Sequence, residues 1–355
     1  MAGPLQKVVT RGEGWMETEA INRAAWRAQI VEAAIEPDLP IIDSHHHIWR
    51  DAPVEPWEAY PAAAMIADKV NSAHNVVATV YVDSHSAYRV DGPEHLRVVG
   101  ETEYAGSVGD DCDARGGRAV GGCAAVVTHA NLLMGAAVGE VLDAHIAASS
   151  RFRGIRHMTA IDPDLPPVYG ATEYGVMMRP EFREGFAELA RRNLSFDAWM
   201  FHPQLPELLD LARAFPEANI VLDHTGGPIG IGRFAGKRDE AFAAWKKDMS
   251  AIAACPNVSV KVGGLNMTYT AMDAIENPRP NTSEEVALLQ RDHFLTTIDL
   301  FGPDRCMVES NFPVDMRSIS YDVLWNSVKR MTADLTRSDR EHIFAGTARR
   351  VYRLP

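Results

Sequence analysis

Short apolar runs rich in Val and Ile recur along the chain and alternate with amphipathic segments of helical period. Eight strands that alternate with helices are the signature of an α/β fold, the (β/α)8 TIM barrel. The length of 355 residues is within the range that one such barrel fills. The eight runs lie at 40–43, 76–82, 123–127, 152–157, 194–199, 219–223, 257–262 and 305–309.

Segments of helical period fill most of the gaps between these runs. An additional amphipathic segment at 12–35 predicts a helix before the first strand, so we expect an N-terminal helical extension at 1–37 and a barrel domain at 38–355. The stretch 106–122 is dense in Gly and Asp and predicts a long loop. The predicted helices of the barrel lie at 134–149, 180–193, 205–215, 239–254, 284–301 and 337–352.

Composition and charge limit where the protein is located and what kinds of molecule it binds. The chain has no run of about 18 apolar residues that would cross a bilayer, and its first residues lack the apolar core of a secretory signal. Four cysteines without paired spacing favour a reducing cytoplasm. A net charge of −13, spread along the chain, argues against nucleic acid as a partner. We therefore expect a cytoplasmic protein that acts on a small molecule.

Polar side chains follow the predicted strands at their carboxyl ends, where barrels of this kind carry their active sites. The first run leads into "DSHHHIW", in which His45 and His47 share one face because strand side chains alternate. His46 is expected to point the other way. The other polar residues at or near strand ends are Asp83, His85, His129, Arg156, His157, Asp197, His202, Asp223, His224, Lys261, Glu309, Asn311 and Asp315.

Five segments carry a resemblance to a known family: "DSHHHIW", "FDAWMFHPQLPEL", "IVLDHTGGP", "VKVGGL" and "ESNFPVD". They resemble the amidohydrolase superfamily, in particular its amidohydrolase-2 branch of lactonase-like enzymes, from about residue 38 onward. The resemblance implies a distorted TIM barrel in which His45, His47 and His224 line the catalytic centre. In members with a metal, the histidines bind a divalent cation such as zinc or manganese and a strand-eight aspartate acts on the attacking water.

The chain departs from the family pattern at strand eight. The family commonly has "SDWP" there, whereas this chain has "SNFP", so Asn311 stands at the position of the expected aspartate. An amide is not a general base. Glu309 shares a strand face with Asn311 and is expected to replace the lost carboxylate, and Asp315 is the other candidate. Both a metal site and a metal-free site, in which histidines stabilise the carbonyl oxygen, stay open at this point.

The remaining strand-end residues suit substrate binding, although each also has a structural interpretation. Arg156, with His157 beside it, offers a planar fork that suits either a substrate carboxylate or a loop carboxylate of its own chain, and Lys261 is the other candidate to hold an acidic group of the substrate. Asp197 lies within a strand and needs a buried partner, for which His224 or Lys261 are candidates. Trp199 and His202, on and after strand five, are further candidates for the substrate pocket, although Trp199 would also fit simple core packing.

These features predict a hydrolase that opens a lactone or related carboxylic ester by attack of water, with amide hydrolysis using the same groups. The alternative is a non-oxidative decarboxylase of an aromatic or unsaturated acid, which resembles this branch. A third interpretation is a ligand-binding barrel without catalysis, which lost its general base when the aspartate was replaced by Asn311. The N-terminal helix offers a surface for a second copy, so a homo-oligomer is compatible with the sequence.

Overall fold

The computed structural model describes residues 23–49, 58–165 and 173–355. Eight parallel strands form one sheet in the order β1 to β8, and the eight predicted strands and the TIM-barrel fold are therefore confirmed. The strands are β1 (Pro40–His46), β2 (Asn75–Val82), β3 (Ala125–His129), β4 (Phe152–Arg156), β5 (Ser195–Ala198), β6 (Asn219–Leu222), β7 (Val258–Val262) and β8 (Cys306–Val308).

Helices follow the strands, as the alternating pattern requires. The six predicted barrel helices are present, and α2, α3 and α9 are additional to them. None of the helices in the described ranges has the length and apolar character needed to cross a membrane. The helices are α1 (Arg23–Arg27), α2 (Ala62–Asn71), α3 (Val99–Arg115), α4 (Val138–Ala148), α5 (Pro180–Arg191), α6 (Leu205–Ala214), α7 (Arg238–Ala253), α8 (Ser283–Phe301), α9 (Tyr321–Met331), α10 (Arg337–Glu341) and α11 (Thr347–Val351), the last two joined by a π-helical turn.

The barrel closes between β1 and the segment that follows β8. His46 bridges to Phe312, the Asn311 N–H donates to the carbonyl oxygen of His45 at 2.9 Å, and the His47 N–H donates to that of Phe312 at 2.7 Å. These bonds join the backbone of "HHH" to that of "SNFP". Asn311 therefore lies beside the histidines of the first strand although more than 260 residues separate them in the chain.

The end of the barrel opposite the strand carboxyl ends is filled by apolar side chains. Alternate strand residues such as Ile42, Val80 and Val221 form one buried cluster with Val351 and Tyr352 from the end of the chain. The backbone at this end also accepts a hydrogen bond from a strand residue, because the side chain of Asn219 at the start of β6 donates to the Val351 carbonyl oxygen. The barrel is thus a packed core at this end, and in this fold active sites form at the other end, where the strands have their carboxyl ends.

The prediction of a loop over 106–122 is wrong, because most of this stretch belongs to α3. Glycine normally disfavours helix, but here it allows close packing. A Cβ on Gly106 would lie 2.6 Å from Ser149 Oγ, and one on Gly109 would lie 2.7 Å from Arg151 Nε. Two aspartates of α3 also pair with Arg151. Tertiary contacts therefore stabilise α3 as a helix although its local composition disfavours one.

The predicted helix over 12–35 is only partly present. Residues 12–22 lie outside the described residues, and α1 ends at Arg27. The chain beyond it is not helical because the side chain of Asn326 takes its backbone bonds: the Ile35 N–H donates to Asn326 Oδ1 at 2.8 Å, and Nδ2 donates to the Ala33 carbonyl at 2.9 Å. The division into an extension at 1–37 and a barrel at 38–355 stays a prediction.

Candidate active site

Imidazoles from β1 and from the end of β6 meet at the carboxyl end of the barrel. The ring centroids of His45 and His47 are 4.8 Å apart, and those of His45 and His224 are 4.5 Å apart. All three side chains are buried. His46 points the other way, as alternation predicts, and its Nε2 bonds Thr79 Oγ1 at 2.9 Å. The structure thus brings the three predicted histidines of the centre together.

The tautomer of His47 follows from its hydrogen bonds. Nδ1 lies 2.8 Å from the Val82 carbonyl oxygen, which only accepts, so Nδ1 carries the proton and Nε2 carries a lone pair. That Nε2 lies 3.3 Å from His45 Nε2. Burial, with nearby cations including Lys261 for His45 and Arg156 for His47, holds the pKa of both imidazoles well below the ordinary value. Both are therefore neutral and able to act as ligands or acceptors at neutral pH.

Glu309 lies directly behind His224. Its Oε1 accepts from His224 Nδ1 at 2.8 Å, and its Oε2 lies 3.2 Å from His45 Nδ1 without a hydrogen bond to any described residue. The glycine pair of "VKVGGL" allows this contact. A Cβ on Gly263 would lie 2.4 Å from Glu309 Cγ, and one on Gly264, whose φ is +63°, would lie 2.5 Å from His224 Nδ1. The pair of glycines thus makes room for the pair of ionisable side chains.

Asn311 and Asp315 form a separate buried network. Asn311 Nδ2 donates to Asp315 Oδ1 at 2.8 Å, and Asp315 Oδ2 accepts from the backbone N–H and from Nδ2 of Asn266, both at 3.1 Å. Burial raises the pKa of Asp315 to about 7 despite these donors. The Asp315 carboxylate therefore has three donors of its own, whereas Glu309 keeps an oxygen without one.

The raised pKa of Asp315 makes stability depend on pH. The folded protein keeps a proton on this carboxyl that the unfolded chain loses above the ordinary value of 3.8. The free energy of unfolding therefore falls as pH rises from about 4 to 7, by about 4 kcal/mol for this group. We expect Asp315→Asn to flatten the fall in melting temperature between pH 5 and pH 8. Asn311 can rotate to offer its oxygen, which has no described partner, to the new amide. The same pH profile in variant and wild type would contradict this assignment.

Lys261 is completely buried among carboxylates. Its Nζ lies 2.6 Å from Asp197 Oδ2, 3.0 Å from Asp223 Oδ1 and 3.2 Å from His45 Nδ1. Burial opposes the charged form, but Asp197, Asp223 and Glu309 together outweigh it and raise the pKa of Lys261. Asp197 also accepts from Tyr352 at 2.7 Å. Of the two partners predicted for Asp197, the structure has Lys261.

Arg156 connects the histidines of the centre to the loop after β2. Its Nη1 lies 3.3 Å from His45 Nε2, its Nε lies 3.5 Å from Asp83 Oδ2, and its Nη2 donates to the Asp83 carbonyl oxygen. The guanidinium is buried but neighbours the mouth of the barrel. It therefore pairs with a loop carboxylate of its own chain, and it also presents a positive charge beside His45.

The other predicted pocket residues fall at different distances from the centre. The Trp199 ring lies 4.7 Å from that of His224, centroid to centroid, and forms an apolar wall there. The Nδ1 of His157 accepts from Leu132 N–H at 3.2 Å on the β3 side of the mouth. His202 is the outlier: it accepts from the Ile229 N–H at 3.1 Å and packs against a phenylalanine of the loop after β6. No contact recorded for the described residues joins His202 to His45 or His224.

The donor atoms of the centre fit a divalent cation. One ligand atom from each of His45, Asp223 and His224 lies within 4.8 Å of the other two, and His47 Nε2 adjoins His45. Neither oxygen of Asp223 accepts a well-directed hydrogen bond within the described ranges. Imidazole nitrogens with a carboxylate are a donor set that zinc favours. Sequence reasoning gave Asp223 no role, although its place directly before His224 at a strand end was a usable signal.

Three polar residues at strand ends adopt left-handed backbone conformations. The φ angles are +53° for His85, +54° for His224 and +53° for Asn311. Such conformations cost roughly 1–3 kcal/mol each for residues with a side chain, and they concentrate at functional sites. Their occurrence at the ends of three different strands supports the carboxyl end of the barrel as the active site.

A buried, histidine-rich centre at the carboxyl end of an eight-stranded parallel barrel defines a class of hydrolytic barrel enzymes. Sequence comparison agrees with this class. The family model described as "Amidohydrolase" matches residues 42–354, and the chain belongs to this family. The family expected from the sequence is therefore confirmed, and the protein is a hydrolase of that family.

Similar proteins include two L-fucono-1,5-lactonases and an amidohydrolase whose structure contains zinc. The chain is 32% identical over 336 residues to the uncharacterised protein y4mH of Sinorhizobium fredii, covering 89% of this chain and 99% of that protein. It is 28% identical over 207 residues to an L-fucono-1,5-lactonase of Burkholderia multivorans, covering 58% and 64%. A crystal structure of a B. multivorans amidohydrolase with bound zinc matches at 25% identity and a TM-score of 0.67, covering 89% and 99%.

Proposed function

We propose that this protein hydrolyses the lactone of a polyhydroxy carboxylic acid by attack of water on the ring carbonyl. The observation that carries this proposal is the convergence of imidazoles from β1 and β6 on Glu309, whose Oε2 has no hydrogen-bond donor among the described residues. Such a carboxylate is available to accept a proton from water while the imidazoles face the reacting carbonyl.

The two oxygens of Glu309 would have different roles in the proton transfer. Oε2 accepts the proton as the water oxygen bonds to the carbonyl carbon, and Oε1 keeps His224 oriented through Nδ1. The tetrahedral intermediate then expels the ring oxygen, which takes the same proton back as it becomes a hydroxyl group. The carboxylic acid that results loses its remaining proton to bulk water as it leaves, and Glu309 returns to its starting charge.

The two buried cations have different roles in this proposal. Arg156 borders the mouth and lies 3.3 Å from His45 Nε2, so its guanidinium would stabilise the oxyanion or hold a substrate carboxylate. Lys261 has no exposed surface and is surrounded by carboxylates, so it would act at a distance, by balancing the charge beneath His45. Trp199 would supply the apolar wall against the sugar ring.

A divalent cation would be held by His45, His224 and Asp223, with His47 as a further ligand. When bound, such a cation polarises the carbonyl group and lowers the pKa of water. The donor set supports zinc, and the zinc-bound relative at 25% identity supports it further. Manganese stays an alternative, as does a centre in which the imidazoles alone face the carbonyl.

The choice of a polyhydroxy acid rests on two supports. Two relatives at 28% identity are L-fucono-1,5-lactonases. In this chain, His85, Tyr88, His129 and His157 give the β2–β4 side of the mouth polar groups that suit several hydroxyl groups. Amide hydrolysis would use the same centre but has no such support.

A direct assay tests the proposal. We expect acid release from at least one member of a panel of 1,4- and 1,5-lactones of sugar acids, L-fucono-1,5-lactone included, measured with a pH indicator against the spontaneous rate. Activity should be compared as purified, after chelation, and after zinc or manganese addition, with His45→Ala as the control variant. Release of carbon dioxide from aromatic or unsaturated acids, without lactone opening, would instead indicate the decarboxylase. Calorimetric binding of lactones without turnover under every metal condition would indicate a binding protein.

A further inference from the structure

A second group of metal-type ligands lies beside the catalytic centre, at the carboxyl ends of β2 and β3. One ligand atom from each of Asp83, His85 and His129 lies within 4.8 Å of the other two. The Asp83 side chain is completely buried, whereas the His85 side chain is 25% exposed, so the group is open to solvent on one side. None of these three residues has a role in the proton transfers proposed above, although His85 and His129 also lie on the polar side of the mouth.

The hydrogen bonds of His129 leave it in the tautomer that a metal requires. Its Nδ1 lies 3.1 Å from the carbonyl oxygen of Arg156, which only accepts, so Nδ1 carries the proton and Nε2 carries the lone pair. Burial lowers the pKa of His129 and keeps the ring neutral. An imidazole whose other nitrogen donates to a backbone carbonyl is the usual arrangement of a metal ligand.

His157, the next imidazole along the wall, has the opposite arrangement. The N–H of Leu132 donates to its Nδ1 at 3.2 Å, so that lone pair is occupied and the proton of the neutral ring is on Nε2. Its ring packs against those of His129 and Phe182. His157 therefore belongs to the same wall but is unsuited to bind a cation.

Asp83 supplies a buried charge with one oxygen available. Oδ1 accepts from the His85 N–H at 3.2 Å, whereas Oδ2 has no hydrogen-bond partner among the residues described. Burial opposes ionisation, but nearby positive charge, including that of Arg156, outweighs it and holds the pKa of Asp83 below its ordinary value, so the group is a carboxylate. A completely buried carboxylate with an unbonded oxygen is costly unless a cation neutralises it.

We propose that Asp83, His85 and His129 form a binding site for a second divalent cation of the zinc class. Two imidazoles and one carboxylate are a common three-ligand set for such ions. In the structure, the positive charge of Arg156 lies close to the carboxylate, with its Nε 3.5 Å from Asp83 Oδ2. A bound cation would take over this charge and release one edge of the guanidinium toward the mouth. The site is independent of whether the substrate is a lactone.

Zinc stoichiometry in the full-length protein tests the site without any activity measurement. The first centre is removed by His45→Ala combined with His224→Ala, and bound zinc is counted by elemental analysis after equilibrium dialysis. We expect this background to keep about one zinc per chain. Adding His129→Gln should weaken that zinc by more than about 100-fold, since even outer partners of a ligand contribute about 10- to 100-fold. Adding His157→Gln instead, the matched control, should leave it bound.

A second measurement uses the wild-type protein and therefore tests the site even if the variants fail to fold. Wild-type crystals soaked in zinc should give an anomalous-scattering peak about 2.0–2.1 Å from nitrogen atoms of both His85 and His129. A map without such a peak overturns the proposal, as does zinc that stays bound in the His129→Gln variant or is lost equally from the His157→Gln variant. Failure of the lactone assay would leave both readouts unchanged, so the two proposals are separately testable.

Discussion

Replacing Glu309 with Gln is expected to lower kcat by roughly 10²- to 10⁴-fold while KM changes little. The side chain keeps its size, but the amide can no longer accept a proton from water. It can also donate to His224 Nδ1, which the carboxylate contacts at 2.8 Å, and so allow the wrong tautomer of that imidazole. The measurement is kcat and KM on the best lactone of the panel, with circular dichroism to verify folding.

Asp315→Asn is the matched control for this prediction. The same replacement of a carboxyl group by an amide is made in a neighbouring buried side chain that already accepts three hydrogen bonds from Asn311 and Asn266. We expect the Asp315→Asn variant to keep activity within about tenfold of wild type, a smaller effect than loss of a general base. A larger loss of activity in Asp315→Asn than in Glu309→Gln would assign the role of general base to Asp315. Full activity in both variants would remove both carboxylates from the mechanism.

Replacing Lys261 with Met should be the most destabilising single change at the centre, lowering the free energy of unfolding by about 3–5 kcal/mol. The aliphatic length is retained, but Asp197 and Asp223 lose an ammonium group at 2.6 and 3.0 Å in a site with no exposed surface. Two buried carboxylates without a cation then repel each other. Denaturant titration of wild type and variant at pH 7 provides the measurement.

A double variant tests whether the lost ion pair causes this effect. Asp197→Asn, added to Lys261→Met, removes one uncompensated charge and keeps an acceptor for the Tyr352 hydroxyl, which bonds Asp197 at 2.7 Å. We expect the double variant to recover part of the stability, giving an interaction energy of about 1–3 kcal/mol in the cycle. Purely additive destabilisation, or a Lys261→Met variant as stable as wild type, would contradict the electrostatic explanation.

The sequence predicted the barrel because its signal is local and repeated. Each strand is a Val- and Ile-rich run, and each polar residue at a strand end needs only the strand direction to be assigned to the carboxyl mouth. His45 and His47 share a face through strand alternation alone, as observed. The same local reasoning failed for α3, where glycine disfavours helix in isolation and serves close packing in the fold.

Contacts between strands far apart in sequence were beyond local patterns. The pairing of Glu309 with His224 depends on the register of β6, β7 and β8 and on the space left by Gly263 and Gly264. No pattern within one segment encodes that register. The choice of Lys261 over His224 as the partner of Asp197 is of the same kind. The roles of the site residues, the cytoplasmic location and a homo-oligomer stay predictions.

The hydroxyl of Tyr352 reaches Asp197 from the apolar end of the barrel, and this connection has a consequence for biosynthesis. Tyr352 follows all eight strands in the order of translation. In a nascent chain whose strands have already paired, the apolar end of the barrel would still lack the Tyr352 side chain. Asp197 and Lys261 would then be exposed to water and to chaperones. We therefore expect the newly made protein to mature after the ribosome has passed Tyr352, with the centre acquiring its final rigidity last.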